Sequence, residues 1–232
     1  SAVNANPALT DCTNKSILGA ALLGSSLNLS PSPQLGYYYM VPFKNSKQGV
    51  TEAQFQLGYK GYIQLALRSG YYRKLNVLPI KEGELIGYDA LNEEIHVNLI
   101  QDEVTRENAK TIGYYAMFEY LNGFKKSMYW SKEKMESHAN KYSQGYKARK
   151  GYTFWEKDFD GMANKTMLRQ ILSKWGIMSI EMQNAFEADE AVIRDDGTKD
   201  YVDTEEVEAV IVQDINPADV KDATPEDALF EK

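Results

Sequence analysis

Residues 55–74 read FQLGYKGYIQLALRSGYYRK, a strand-like run that passes directly into a short helix and leaves it through a glycine. From Tyr59 onward the apolar residues Tyr59, Tyr62, Ile63, Ala66 and Leu67 follow i, i+3, i+4, i+7, i+8, the spacing of a helix that buries one stripe. The opposite side must then be polar. It carries Lys60, Gln64 and Arg68 at successive four-residue steps, so a cation, an amide and a second cation line up along the helix. Gly70 stands where a left-handed C-cap is wanted, and Tyr71, Tyr72, Arg73 and Lys74 follow at once. Cations beside rings suit a single-stranded nucleic acid, which offers phosphates and base faces together. Taken alone, the stretch is explained more simply as a core helix with a solvated face, and other stretches have to tip the balance.

A chain of 232 residues with 43% hydrophobic content can bury one sizeable core plus an appendage. The single cysteine, Cys12, excludes an internal disulfide and a four-cysteine zinc site, and fits a reducing cytosol. No apolar run approaches the roughly 18 residues of a membrane span, so no membrane contact and a cytoplasmic location are expected. The net charge of −7 is unevenly distributed. Residues 187–232 hold 16 acids and 4 bases, a net of −12, which leaves 22 bases and 17 acids, a net of +5, in residues 1–186. The expected organisation is a core domain over 1–186 and a flexible acidic tail over 187–232. The tail has one apolar strip, 207–212, which serves either as a docking element or as part of a solubilising tail. A body at +5 is only mildly basic, so binding of nucleic acid requires its cations to be gathered into a groove.

In chain order, Thr13 or Asn14 caps a helix to about residue 23, apolar at Ile17, Leu18, Ala21 and Leu22. Strands are expected over 37–43 and 53–57, joined by a 45–49 loop that exposes Lys44 and Lys47. After the 59–69 helix, strands over 74–80, 85–88 and 94–100 alternate apolar and polar residues and should face water without a ligand site. Runs 112–120 and 124–130 flank Leu121-Asn122-Gly123, a strong hairpin signal, with Lys125 and Lys126 on the second arm.

Ser131 caps a helix to about residue 140, and the segment after it is the second informative stretch. Residues 137–155 contain Lys141, Lys147, Arg149 and Lys150 and no acid, interleaved with Tyr142, Tyr146, Tyr152, Phe154 and Trp155. Ordinary surface loops mix charge signs, so this one points to a nucleic-acid contact. Thr153-x-x-Glu156 is a capping box opening the last long helix, which Gly176 closes. Trp155, Phe159, Met162, Leu168, Ile171, Leu172 and Trp175 supply its buried face, while Lys165 and Arg169, one turn apart on another side, extend the same groove.

Enzymatic readings fail on inspection. The chain has no Gly-Lys dipeptide and therefore no phosphate-binding P-loop. His96 and His138 are its only histidines and lack metal-site spacing. The acid-x-lysine pattern of many metal-dependent nucleases occurs only at Asp219 to Lys221, inside the acidic tail.

Three ordered motifs carry a resemblance. LGYKGYIQLALRSG at 57–70 resembles the signature of the RecT/Redβ family of phage single-strand annealing recombinases. LGYYYMVPF at 35–43 is similar to that family's Leu-Gly-x-x-Tyr-Leu-x-Pro-Phe strand, and WEKDFDGMANKTMLRQIL at 155–172 to its late helix. Met162, Ala163, Lys165, Thr166 and Arg169 match there, whereas Gly161 and Asn164 replace an acid and a cation. The chain begins at Ser1 without Met and without the family's N-terminal segment, so a trimmed or partly ordered product is expected.

The sequence therefore predicts an α+β fold in which an antiparallel sheet with a β-hairpin packs against two main helices, followed by the acidic tail. The resemblance implies ATP-independent binding and annealing of single-stranded DNA, through an annealed duplex intermediate, in homo-oligomers that form rings or helical filaments. It further implies a partner phage exonuclease and a host single-strand-binding protein. The DNA-contacting candidates are Lys44, Tyr59, Lys60, Gln64, Arg68, Tyr71, Arg73, Lys74, Lys125, Lys126, Lys141, Tyr146, Lys147, Arg149, Lys150, Tyr152, Lys165 and Arg169. No catalytic residue, metal ligand or cofactor is expected, and any magnesium effect should run through the DNA. The alternative from another class is a non-enzymatic module whose basic groove binds an acidic protein partner, such as its own tail.

Overall fold

A computed structural model describes residues 6–46, 48–151 and 153–200. After a short 3-10 turn at Pro7–Asp11, helix α1 (Asn14–Ser26) leads to an antiparallel ribbon of β1 (Tyr38–Asn45) and β2 (Val50–Leu57), with Tyr38 opposite Leu57. Helix α2 (Tyr59–Arg68) follows, then β3 (Tyr72–Lys81), a hairpin of β4 (Leu85–Asp89) and β5 (Glu94–Val97), and a short helix α3 (Glu103–Asn108). Strands β6 (Thr111–Tyr120) and β7 (Lys125–Ser131) join β3 in a three-stranded antiparallel sheet of order β3-β6-β7. The helical part comprises α4 (Lys132–Tyr142), α5 (Gln144–Lys147), α6 (Phe154–Lys157), α7 (Phe159–Trp175) and α8 (Ile180–Ala188). Two short strands, β8 (Val192–Ile193) and β9 (Lys199–Asp200), pair at the end of the described chain. The fold is α+β with antiparallel sheets, and α7 lies against the three-stranded sheet on one side and α2 on another. The Asn-Gly hairpin forms as expected: Gly123 is left-handed, and the Tyr120 amide donates to the Phe124 carbonyl.

Glycines determine how the ribbon meets α2. A Cβ on Gly58 would collide with the Gly36 carbonyl, and one on Gly61 with the Tyr37 carbonyl, so the start of α2 lies backbone to backbone on the entry to β1. This contact rotates the helix. Its buried residues are Gly61, Tyr62, Leu65 and Ala66, while Tyr59 and Ile63 are half-buried and Leu67 is exposed, so the apolar stripe lies one position away from the expected one. Helix α1 departs further. It buries Ser16, Ala20 and Gly24 and leaves Leu18 and Leu22 exposed, because Gly19 backs onto the Ile193 carbonyl and Gly24 onto the Tyr38 ring. The Ser16 hydroxyl also accepts the Ala53 amide at 2.8 Å, fixing α1 on β2.

The last long helix is two helices. The capping box at Thr153 and Glu156 opens only α6, with the Glu156 carboxylate accepting the Thr153 amide at 3.1 Å. At Asp158 the backbone turns out of the helix, and the Asp158 carboxylate caps α7 through the Gly161 amide at 2.8 Å. A side chain on Gly161 would overlap that carboxylate, which accounts for a glycine at this position. Gly176 ends α7 in an extended conformation; its role is close approach to the Leu172 carbonyl and the Tyr72 hydroxyl. Trp175, expected in the buried face, is 43% exposed.

Packing continues beyond Phe186. Ala188, Asp189, Ala191, Val192 and Ile193 are buried, and Arg194 reaches back to the buried Glu52 carboxylate on β2. The strip at 207–212 lies outside the described residues.

A buried carboxylate also organises the β4–β5 insertion. Glu84, wholly buried, accepts the Lys81 amide at 2.8 Å, the Ile100 amide at 3.1 Å and the Arg106 Nε at 2.6 Å, while Arg106 Nη2 donates to the Pro79 carbonyl at 2.8 Å. Burial acts to raise its pKa, but Arg106 and the two amides outweigh burial and hold the carboxyl below the usual carboxylate value.

Two outcomes follow. Gly61→Ala should destabilise the protein by about 3 kcal/mol, because overpacking against a backbone carbonyl outweighs the roughly 1 kcal/mol helix preference of alanine; urea unfolding measures the difference. Glu84→Gln should cost about 3 kcal/mol near pH 7. Since the folded-state pKa of Glu84 is depressed, its contribution is complete above the ordinary carboxylate range and is lost as pH falls through the folded value. The gap between wild type and variant should therefore close on acidification, as followed by thermal melts from pH 7 to 3.

Candidate nucleic-acid interface

Two of the three motifs, 57–70 and 155–172, meet at one carboxylate. Asp189, just beyond α8 and 1% exposed, accepts the Leu57 amide at 2.8 Å, the Tyr62 hydroxyl at 2.7 Å, the Lys165 ammonium at 3.0 Å and the Arg169 guanidinium at 2.6 Å. Arg169 also donates to the Tyr62 hydroxyl at 3.1 Å. Burial pushes the Tyr62 pKa well up, reinforced by the Asp189 charge. For Arg169, burial favours the neutral form, but Tyr62 and Asp189 together hold its pKa above the usual guanidinium value. Lys165 and Arg169, expected to extend a solvent-facing groove, are thus directed inward at a shared counter-charge. Nothing local in the sequence signals this, because Asp189 lies 24 and 20 residues beyond them and 132 beyond Leu57.

On α2 the predicted row exists, but its members differ in role. Lys60 is exposed at the first turn and Gln64 is half-buried. Arg68 is exposed, yet its guanidinium donates to the Leu27 carbonyl at 2.9 Å and the Asn28 carbonyl at 3.4 Å, capping the C-terminus of α1. Lys60 lies near Tyr39. A Cβ on Gly36 would lie 3.0 Å from the Tyr39 hydroxyl and 3.5 Å from Lys60 Cδ, and the Tyr39 ring lies 6.0 Å from that of Phe154. Phe154 opens α6, directly after the loop that carries Lys147, Arg149 and Lys150, all exposed. The structure therefore places Lys60, Tyr39 and Phe154 near one another, with Phe154 following the basic segment in the chain. Lys60, Lys141, Lys147 and Arg149 face no carboxylate among the described residues. Tyr39 was not among the sequence candidates; its place in an alternating strand gave no sign of it.

The remaining candidates lie elsewhere. Arg73 and Lys74 approach Glu119 at 3.4 and 3.7 Å, and Glu119 is the cross-strand neighbour of the exposed Lys125. Lys126 pairs with Glu93 and stands 3.7 Å over the Trp175 ring. Together with the exposed Tyr71 they form a second cationic group at the β6–β7 turn, neutralised in part by its own acids. Lys44 stands exposed near the turn end of the ribbon, opposite Thr51. Tyr59 packs half-buried on the core, and Tyr146 likewise, 6.2 Å from Trp155 and 6.0 Å from Phe159. Tyr152 lies outside the described residues.

Among the described residues no group of histidine, cysteine and acidic side chains is arranged to hold a metal ion, and no helix is long and apolar enough to cross a membrane.

Comparison with known proteins finds that the model of the RecT family matches residues 1–206. The chain is 43% identical over 210 residues to the uncharacterized protein YqaK of Bacillus subtilis (strain 168), covering 90% of this chain and 66% of that protein. It is 32% identical over 187 residues to protein RecT of Escherichia coli (strain K12), covering 79% of this chain and 66% of that protein. The chain thus spans just under two thirds of the length of each of these relatives.

Asp189→Ala should lower stability by roughly 3–5 kcal/mol, since it leaves two cations without their shared counter-charge and strips an acceptor from Leu57 and Tyr62. Denaturant unfolding checks this. A variant that unfolds like wild type would release Lys165 and Arg169 as candidates for an outside ligand.

Proposed function

Because the chain belongs to the RecT family, we propose that it binds single-stranded DNA and anneals complementary strands in phage-type homologous recombination, without a nucleotide cofactor. The observation that carries this reading is that the exposed Lys60 lies by Tyr39, whose ring neighbours Phe154 at the end of the acid-free basic segment. Lys60 stands 6.0 Å from the Tyr59 ring centroid, and Lys60, Lys147 and Arg149 form no ion pair among the described residues. Lysine and arginine lower the repulsion between two phosphate backbones, while a strand held extended keeps its base edges free to pair. Base pairing then selects the partner strand, and the protein needs no sequence preference of its own. We further place the protein in head-to-tail oligomers on DNA, working with an exonuclease that generates single strands and with a host single-strand-binding protein.

The test is salt-dependent binding. Lys60→Ala with Lys147→Ala should weaken binding to a labelled single strand whatever its sequence, and flatten the plot of log affinity against log salt by about 0.7 for each phosphate no longer neutralised. Arg68→Ala should instead show its main loss in thermal stability, because it caps α1. Unchanged affinity and slope in a folded Lys60/Lys147 double variant would overturn the assignment.

A further inference from the structure

Lys141 is the one residue of α4 among the DNA-contacting candidates. Lys134, His138, Lys141 and Tyr142 share one side of α4, and the half-buried Trp130, near the end of β7, lies against the half-buried His138. Their rings touch in series: Trp130 to His138 at 5.6 Å and His138 to Tyr142 at 4.5 Å, with His138 anchored 6.4 Å from the buried Trp155. Each end ring carries an ammonium, Lys134 at 4.4 Å over Trp130 and Lys141 at 5.1 Å over Tyr142. This side ends on Tyr142, which is 66% exposed and covers none of the core. The acids of the same helix lie off this side: Glu133 is close to Lys110, and Glu136 is close to Tyr114 and Tyr146.

We propose that this face of α4 is a stacking platform for the unpaired bases of single-stranded DNA, with Lys134 and Lys141 meeting the adjoining phosphates. Rings in a tilted series offer π-faces that any base can cover, and the ammonium groups supply the charge complement of the strand. The platform leads into the acid-free segment of Lys147 and Arg149, so a strand leaving the rings would run onto the basic loop. The inference rests on the reading that the chain binds single strands. It goes beyond that reading in separating base contact from phosphate contact.

An abasic oligonucleotide with the same number of phosphates as oligo-dT separates the two. Full-length Tyr142→Ala should bind oligo-dT roughly 5- to 150-fold more weakly, the range that corresponds to losing one base–ring stack, and should bind the abasic strand as wild type does. Tyr142→Phe, which keeps the ring, should restore oligo-dT affinity. In the unmodified protein oligo-dT should quench tryptophan fluorescence and the abasic strand should not, and Trp130→Phe should remove most of the quenching. Equal affinity of wild type and Tyr142→Ala for oligo-dT, or an equal loss on both strands, would overturn the platform and leave the proposed function standing. A wild-type protein that binds neither strand would overturn both.

Discussion

The carboxylate of Asp189 is the interaction on which the rest of the structure depends. A buried charge is costly unless it is paired and hydrogen-bonded, and this one is met by four donors from three parts of the chain. The Leu57 amide comes from the end of β2, the Tyr62 hydroxyl from α2, and the Lys165 and Arg169 cations from α7. Two cations against one carboxylate leave a positive surplus. The Glu190 carboxylate, 3.6 Å from Lys165, offsets it from the rim. The network fixes the angle between the signature helix and the late helix more tightly than apolar packing does, because apolar contacts are non-directional whereas these donors converge on two oxygens.

Around that node the glycines set what faces outward. Gly58 and Gly61 hold the first turn of α2 on the backbone of residues 36–37, and Lys60, between them, is exposed with its side chain near Gly36 at the entry to the ribbon. The same contact places Lys60 near Tyr39, whose ring lies 6.0 Å from that of Phe154. The internal ion network and the exposed cation cluster are thus opposite consequences of one packing arrangement. Residues one turn apart on α7 are drawn in by a counter-charge, while Lys60, Lys147 and Arg149 are exposed and form no ion pair among the described residues.

The charge map of the molecule changes accordingly. By sequence, the positive body ends at residue 186 and the acids beyond it form a tail. In the structure Asp189 and Arg194 belong to the core, one neutralising α7 and the other meeting Glu52. Ten of the 16 acids beyond residue 186 come after residue 200, outside the described residues, and the family match itself ends at residue 206.

Much of this was legible in the sequence, and the limits have a common cause. Local signals worked: the Asn122-Gly123 turn, the caps at Thr13 and Ser131 and the left-handed Gly70 all depend on neighbours within a few residues, and three motifs in order sufficed to identify the family. The period of α2 established that one side is buried, but not which residue lies at its centre, because a backbone contact with residues 36–37 turns the helix. In α1 the leucines that looked like core are exposed, since only a face of serine, alanine and glycine can approach Ile193 and Tyr38 closely. The same holds for charge. Lys60, Arg68, Lys165 and Arg169 look alike as cations at helical spacing. Tertiary structure alone turned Arg68 onto the carbonyls that end α1, buried Lys165 and drew the half-buried Arg169 onto Asp189, because each of those partners lies 20 or more residues away and electrostatic pairing acts through space, not along the chain.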